Sequence, residues 1–303
     1  MKYIYIFISI LFFSCGNVTP KHKFSIIYEF ENLETLTDND KLETIEVLNK
    51  RLDHFASNYE VRLTNKQQIE IKLSTDLEME AVNAIVTNPG KLEFWECVES
   101  REIPSFFLKV FHLIEAENHT LRNPLDSSSR PFSAGVMSID TSGVKRLKEI
   151  LLKEEVLALL PQEIKNSKFL FGQPLNGKVD LYVVKLPSNG IAFVNETHVT
   201  EAREKLSSKN RPSLFIEMSE EGTQRWEGMT DLAYQKGSKI AITLNDIVYS
   251  APTVSSGPIS VGKAEINGDF TIEEAKGLAI ILSSQKRIPK LKFVNSSAIN
   301  DEP

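Results

Sequence analysis

From Lys239 onward, apolar and polar positions repeat with a period of two. Ile240, Ile242 and Leu244 fall on one side, and Ala241 and Thr243 on the other. This alternation predicts a strand with one buried face. Asn245-Asp246 follows, two residue types that tolerate the left-handed backbone of a tight turn, and Ile247 to Val254 reads as the strand that pairs back. Pro252 near its end lacks an N–H, which an edge position tolerates. Gly257, Gly262 and Gly268 punctuate the loop beyond. The period then changes to three and four, and Ile272, Ala275, Leu278, Ala279 and Leu282 form an apolar helical stripe. In front of it, Thr271-Ile-Glu-Glu274 has the form of a capping box: the Thr hydroxyl accepts from a free helix N–H and the Glu reaches back to the Thr N–H.

The N-terminal third shows the same two periods. Phe24, Ile26, Tyr28 and Phe30 alternate as a strand, and Thr37 or Asp38 caps a helix through His54 with a seam of Leu42, Ile45, Leu48, Leu52 and Phe55. Tyr59 to Leu63 and Gln68 to Leu73 read as strands. A helix from Asp76 to Thr87 presents Leu77, Val82 and Ile85, and Asn88-Pro89-Gly90 stops it. Lys91 to Val98 is a further strand. The order is βαββαβ, a ferredoxin-like split βαβ unit. The C-terminal part repeats it. Leu214 to Met218 is a strand, Ser219 caps a helix with Trp226, Met229, Leu232 and Ala233 inward, and Gly237 ends it. The hairpin, the capped helix and a strand at Lys290 to Val294 follow. Two arrangements fit: a repeated unit, or two segments that contribute strands to one sheet.

Residues 101–211 differ in composition. Phe106, Phe107, Leu108, Val110, Phe111, Leu113 and Ile114 make a dense apolar cluster, and Leu121 to Pro131 is rich in Ser and Pro, as exposed loops are. Gly143 to Leu152 and Glu155 to Leu160 read as helices. Lys168 to Phe171, Asp180 to Leu186 and Gly190 to Val194 read as strands. The fold class is α+β: a ferredoxin-like base built from N- and C-terminal segments (24–100 and 212–295), an inserted α+β unit at 101–211, and a tail at 296–303.

The start of the chain adds a location. After Lys2, the apolar run Tyr3 to Phe13 is well short of the ~20 residues that span a bilayer as a helix and fits the core of a secretory signal. It ends at Phe12-Phe13-Ser14-Cys15-Gly16, the pattern of a lipobox in which Cys15 is acylated after residues 1–14 are removed. An ordinary signal peptide with a chance Cys is the other reading. Acyl chains contribute ~0.8 kcal/mol per buried CH₂, so several on one Cys anchor a soluble body firmly. Residues 15–23 then form a tether. The expected location is extracytoplasmic, lipid-anchored and facing the periplasm, on either the inner or the outer membrane. Cys97 is left alone, a buried strand residue or a reactive thiol.

Chemistry is sparse. The net charge of −6 argues against nucleic acid as a partner, since phosphate binding needs clustered Lys and Arg. The 5 His, including His198 three residues before Glu201, show no metal-ligand spacing. Glu220-Glu221 and Glu273-Glu274 sit in first helical turns, where negative charge meets the helix dipole. Lys263 is not set in a phosphate loop. No cofactor, metal or catalytic constellation is called for, so the expected protein is not an enzyme. Phe106, Phe107 and Phe111 have two readings: a core, or an exposed groove that takes extended polypeptide.

A family resemblance rests on the C-terminal motifs. Tyr249-Ser-Ala-Pro-Thr-Val254, the Gly-punctuated loop and Asn267-Gly-Asp-Phe-Thr-Ile-Glu-Glu-Ala275 resemble the end of the first periplasmic domain of SecD and SecDF, accessory subunits of bacterial protein export. Leu48-Asn-Lys-Arg51-Leu-Asp53 resembles the family's first helix, and Lys91-Leu-Glu-Phe94 its following strand. Asn195-Glu-Thr-His-Val-Thr-Glu-Ala202-Arg203 resembles the segment returning from head to base. The similarity covers most of Phe24 to Val294. It implies a base plus a mobile head at 101–211, hinged near Ser100 to Pro104 and near Ser207 to Pro212. It also implies a non-enzymatic role in protein transport by transient binding of unfolded or translocating polypeptide, beside the Sec translocon or a full-length SecDF. The family's membrane helices have no counterpart in the sequence. A scaffold or ligand-binding periplasmic lipoprotein is the alternative, and a hydrolase is disfavoured by the missing constellations.

Overall fold

A computed structural model describes residues 20–98, 102–117, 135–207 and 210–299. The signal segment, Cys15 and the Ser- and Pro-rich stretch 121–131 lie outside these residues. In chain order the elements are β1 (His22–Phe30), α1 (Asp38–Leu52), β2 (Ala56–Leu63), β3 (Ile69–Thr75), α2 (Met79–Thr87) and β4 (Leu92–Glu96). Next come α3 (Glu102–Glu117), β5 (Met137–Asp140), α4 (Val144–Leu151), α5 (Glu154–Leu157), β6 (Ser167–Gly172), β7 (Lys178–Lys185) and β8 (Val194–Asn195). The chain ends with β9 (Val199–Leu206), β10 (Pro212–Met218), α6 (Glu220–Lys236), β11 (Ile240–Leu244), β12 (Ile247–Ser250), β13 (Lys263–Asn267), α7 (Ile272–Ser283) and β14 (Leu291–Ala298).

The first sheet has four antiparallel strands in the order β14-β1-β3-β2. With α1 and α2 on one face this is the ferredoxin-like arrangement, and its fourth strand comes from the far end of the chain. Alternation along β1 sends Ile26, Tyr28 and Phe30 inward, where Val47, Leu48, Leu52, Ile69, Ile71, Val82 and Val86 close the core. Each such side chain stabilises the fold by ~1.5–3 kcal/mol on burial. Thr37 caps α1 and forms a reciprocal capping box with Asp40. The buried face of α1 carries Thr44, Val47, Leu48, Arg51 and Leu52, whereas Leu42, expected in the seam, is 59% exposed.

Everything between α2 and β14 is an insert. It holds a three-stranded sheet, β13-β10-β9, and a seven-stranded sheet, β5-β7-β6-β12-β11-β4-β8. The strand Lys91 to Val98, expected in the first unit, pairs instead with β11 and β8. The repeated C-terminal unit does not form: β10 pairs with β9 and β13, while β14 leaves to join β1. Of residues 212–295, only β14 enters the four-stranded sheet, and the expected boundary at 211/212 falls between two paired strands, β9 and β10. Strands from both sides of that boundary share the seven-stranded sheet.

One core of the insert lies between β4, β10, β11, α6 and α7 and includes Phe94, Ile216, Trp226, Ile242 and Leu282. A second, under α3 and α4, includes Phe106, Phe107, Leu147, Leu181 and Val183. All five residues of β11 are buried, so this strand has two covered faces rather than one. Asn245 and Asp246 take positive φ, 52° and 65°, as the turn requires. Ser219 caps α6, and Gly237 ends it in the left-handed conformation. Leu232, expected inward, is 41% exposed. Among the described residues no helix is long and apolar enough to cross a membrane.

Candidate functional site

Cys15, the expected acylation site, lies outside the described residues. Phe106, Phe107 and Phe111 lie on α3, and their exposures are 1%, 2% and 3%. Phe106 stacks on Phe169 at 5.9 Å and meets Phe107 edge-on at 5.0 Å. Phe107 stacks on Phe111 at 6.2 Å. The structure therefore places the three rings in an interior core, not in an open groove. The spacing of an amphipathic helix explains why: Val110 and the three rings face β6 and β7, and Leu108 points out. Cys97 is likewise buried, beside Trp95, Tyr182 and Val184.

The polar residues that the fold gathers lie where the chain passes between base and insert. It leaves the base through 88–91 and returns through 284–290. Arg51, fully buried on α1, donates from Nη1 to the carbonyls of Ile85 at 2.9 Å and Asn88 at 2.6 Å. Two of the carbonyls left free at the end of α2 thus find a donor. Burial pushes the guanidinium down to about 9, still charged at neutral pH. Gly90 follows with φ +76°, and a Cβ there would sit 2.9 Å from both Arg51 Nη2 and Ile281 Cγ2. Only glycine meets both demands.

On the insert side, the β11–β12 turn takes hold of the same connection. The Asn245 N–H donates to Lys91 O at 2.8 Å, Asn245 Oδ1 accepts from Lys91 N at 3.1 Å, and Asn245 Nδ2 donates to Asn88 Oδ1 at 2.9 Å. Asp246 receives Lys91 at 2.9 Å and Lys168 at 2.6 Å. Burial works to raise the Asp246 carboxyl, but the two lysines outweigh it and hold it below the usual carboxylate range. Lys91 is held above its ordinary value: burial opposes the charge, and Asp246 and Glu93 more than compensate. Close by, Glu196 is buried and its carboxyl is raised by that burial, with Arg287 at 3.8 Å offsetting only part.

α7 spans the two parts. Its Ala275, Ala279 and Leu282 enter the insert core, and its other side packs on α1 and α2. The capping box expected at Thr271 is present, with Glu274 Oε2 accepting from the Thr271 N–H at 2.8 Å. Phe270 of the same motif stacks on Tyr249 at 5.2 Å. Exposed apolar side chains do occur on the insert. Ile191 and Phe193 precede β8, and Arg225 lies over the Phe193 ring at 5.2 Å. Sequence reasoning missed this pair because it placed the whole of 190–194 in a strand. Among the described residues no three His, Cys, Asp or Glu side chains gather as a metal site.

The arrangement can be compared with known proteins. Residues 180–286 match the family model described as SecDF, P1 head subdomain. The chain is 32% identical over 170 residues to protein translocase subunit SecD of Rhodothermus marinus, covering 54% of this chain and 26% of that protein. It is 35% identical over 109 residues to SecD of Calditerrivibrio nitroreducens, covering 36% and 20%. It thus spans about a quarter or less of the length of these curated relatives. Among solved structures, a chain of SecDF, a membrane component that enhances protein export, superimposes with a TM-score of 0.54 at 20% identity. That match covers 91% of this chain and 100% of the other. SecDF in a super-membrane-facing form gives a TM-score of 0.54 at 18% identity, over 91% of this chain and 30% of the other. At these identities the structural likeness is one of fold. The chain resembles a SecD/SecDF periplasmic domain.

Proposed function

We propose, from the kinship to the SecD/SecDF periplasmic domain, that this protein is a non-enzymatic extracytoplasmic lipoprotein of protein export. In this reading it binds translocating polypeptide transiently and works beside the Sec translocon or a full-length SecDF. Cys15 carries the acyl anchor. The head corresponds to the insert between α2 and β14, a wider span than 101–211. The observation that carries the reading is the match of 180–286 to the SecDF head model within a chain whose fold follows SecDF along 91% of its length. In this reading, capture biases the passive movement of an emerging chain. Site-specific photocrosslinking in cells tests this: probes on the insert should form adducts with exported precursors, and adducts with mature periplasmic proteins alone would refute it. Cys15→Ser should move the protein out of the membrane fraction; unchanged fractionation refutes the anchor.

The burial of Phe106, Phe107 and Phe111 favours a second reading, a scaffold lipoprotein that keeps the fold without a polypeptide groove. As the ligand-binding or scaffold protein without an export role that this reading describes, it should give neither precursor adducts nor co-purification with the translocon.

A further inference from the structure

One side of α6 is buried through Trp226, Met229, Thr230 and Ala233, and the opposite side is open. Gly228 sits in the middle of that open side, and a Cβ added there would meet nothing within 4 Å. Glycine inside a helix is less stable than alanine. Nothing within the chain offsets this at Gly228: its φ is not positive, and no side chain crowds it. What a missing Cβ does provide is room for another backbone to come close.

The surrounding face indicates which backbone. Ile191 and Phe193 lie exposed at the Arg225 end, where Arg225 Nη1 donates to Phe193 O at 3.3 Å. Leu232, about two turns on from Arg225 and on the same side of the helix, is exposed as well. The polar residues are arranged in opposition about Gly228. Glu221, Gln224 and Arg225 stand seven, four and three residues before it, and Asp231, Leu232 and Gln235 stand three, four and seven after it. Glu220 and Lys236 lie eight residues away on either side. A second α6 crossing antiparallel at Gly228 would bring Arg225 level with Asp231 and Glu220 level with Lys236, and Phe193 would meet Leu232, each twice. A parallel copy would set Glu220 on Glu220 and Arg225 on Arg225, like charge on like. Within one copy Arg225 already pairs with Glu221 at 2.8 Å, and Asp231 accepts from Gln235 at 2.9 Å. Charge across the pair therefore sets its orientation more than its strength.

We infer that the open face of α6 pairs with the same face of a second copy of this chain, antiparallel about a two-fold axis at Gly228. A two-fold contact uses one patch twice and closes on itself. Without a Cβ at the axis, the helices approach nearer than the usual ~8–10 Å between axes. The patch is one helix face plus residues 191–193, less than the ~800 Å² per partner of a standard interface, so the pair is weak, with a Kd on the order of 10–100 µM. The inference goes beyond the export reading and stands whether or not polypeptide is bound.

Sedimentation equilibrium of the full chain carrying Cys15→Ser, from ~1 to ~500 µM, tests this and should show a reversible monomer–dimer equilibrium. Gly228→Lys puts a good helix former at an exposed site, so the fold is kept, while two lysines meet at the axis; the Kd should rise at least tenfold. Phe193→Ser and Leu232→Ser should each raise it several-fold, and Leu152→Ser, exposed at the end of α4, should leave it unchanged. In a Cys97→Ala background, Gly228→Cys should link to itself on mild oxidation and Lys66→Cys in the base should not. A parent that stays monomeric throughout, a dimer indifferent to Gly228→Lys, or equal trapping through Lys66→Cys overturns the inference. So does a photoprobe at Gln224 that takes exported precursor in cells and never a second copy.

Discussion

Replacing Arg51 by Met isolates the base-side grip. The apolar stem keeps its place among Leu48, Leu52 and α2, and only the guanidinium is lost. Ile85 O and Asn88 O then have no donor, and each orphaned buried carbonyl costs ~1–3 kcal/mol, a gross loss of ~2–6 kcal/mol. The contact to Pro89 O, at 3.5 Å, adds little. Against this, the protein no longer holds a buried cation whose desolvation alone pushes its pKa down to about 9. The net expectation is therefore the low end of the range, ~2–3 kcal/mol. Urea unfolding followed by Trp fluorescence reads it. With a slope of ~2–3 kcal/mol per molar urea, the midpoint should fall by ~1 M. Arg51→Lys, one ammonium in place of a fork, should fall about half as far. A shift below ~0.2 M for Arg51→Met would show that the carbonyls find water when the guanidinium goes, and the base-side grip would then contribute nothing.

Other expectations follow from the same geometry. Phe107→Ala should cost ~3–5 kcal/mol by denaturant midpoint, as a core ring does; a near-neutral change would return this ring to an open surface. Leu282→Ala should cost ~2–5 kcal/mol and Thr271→Ala ~1 kcal/mol, and equal costs would refute the burial of the α7 stripe. Asp246 has a folded pKa below its unfolded value. Its contribution is therefore present above about pH 4 and lost as pH falls through the folded value, and Asp246→Asn should flatten the acid limb of a stability–pH profile. Glu196 is the reverse case. Its raised folded pKa makes stability fall as pH rises from about 4 through the folded value, so Glu196→Gln should raise the urea midpoint at pH 7. A lowered midpoint would show that the pairing with Arg287 outweighs burial.

The local elements were legible in the sequence wherever one residue type has one physical use. Thr37, Ser219 and Thr271 announce helix starts, Gly237 a helix end, and Asn245-Asp246 a left-handed turn, and all occur as expected. Strands without apolar alternation were not legible. β9 is almost wholly exposed and reads as polar chain, and β13 lies in what looks like a glycine loop. Partner choice was the larger gap. The run Lys91 to Val98 carries no mark that it pairs with β11 rather than β1, because periodicity fixes which face is buried and not which neighbour lies alongside. The junction was invisible for a related reason. Arg51 on an otherwise apolar helix face looks like a surface residue out of register, and only the fold brings it to the carbonyls of Ile85 and Asn88.

The placement of β14 has a consequence for how the protein is made. Its partner β1 emerges first, and β14 only after the entire insert between them. Until β14 arrives, β1 is the naked edge of a three-stranded sheet, and its sequence His22-Lys-Phe-Ser-Ile-Ile-Tyr-Glu-Phe30 is rich in aromatic and β-branched residues. Such an edge invites pairing with the wrong chain. Pairing at so large a sequence separation is also slow, because the loop must close before the contact rewards it. Maturation of the base is thus expected to be the last and slowest folding event, and the nascent form to be the most exposed to aggregation. A chain proposed to attend other polypeptides as they emerge would itself depend on being sheltered until β14 is out.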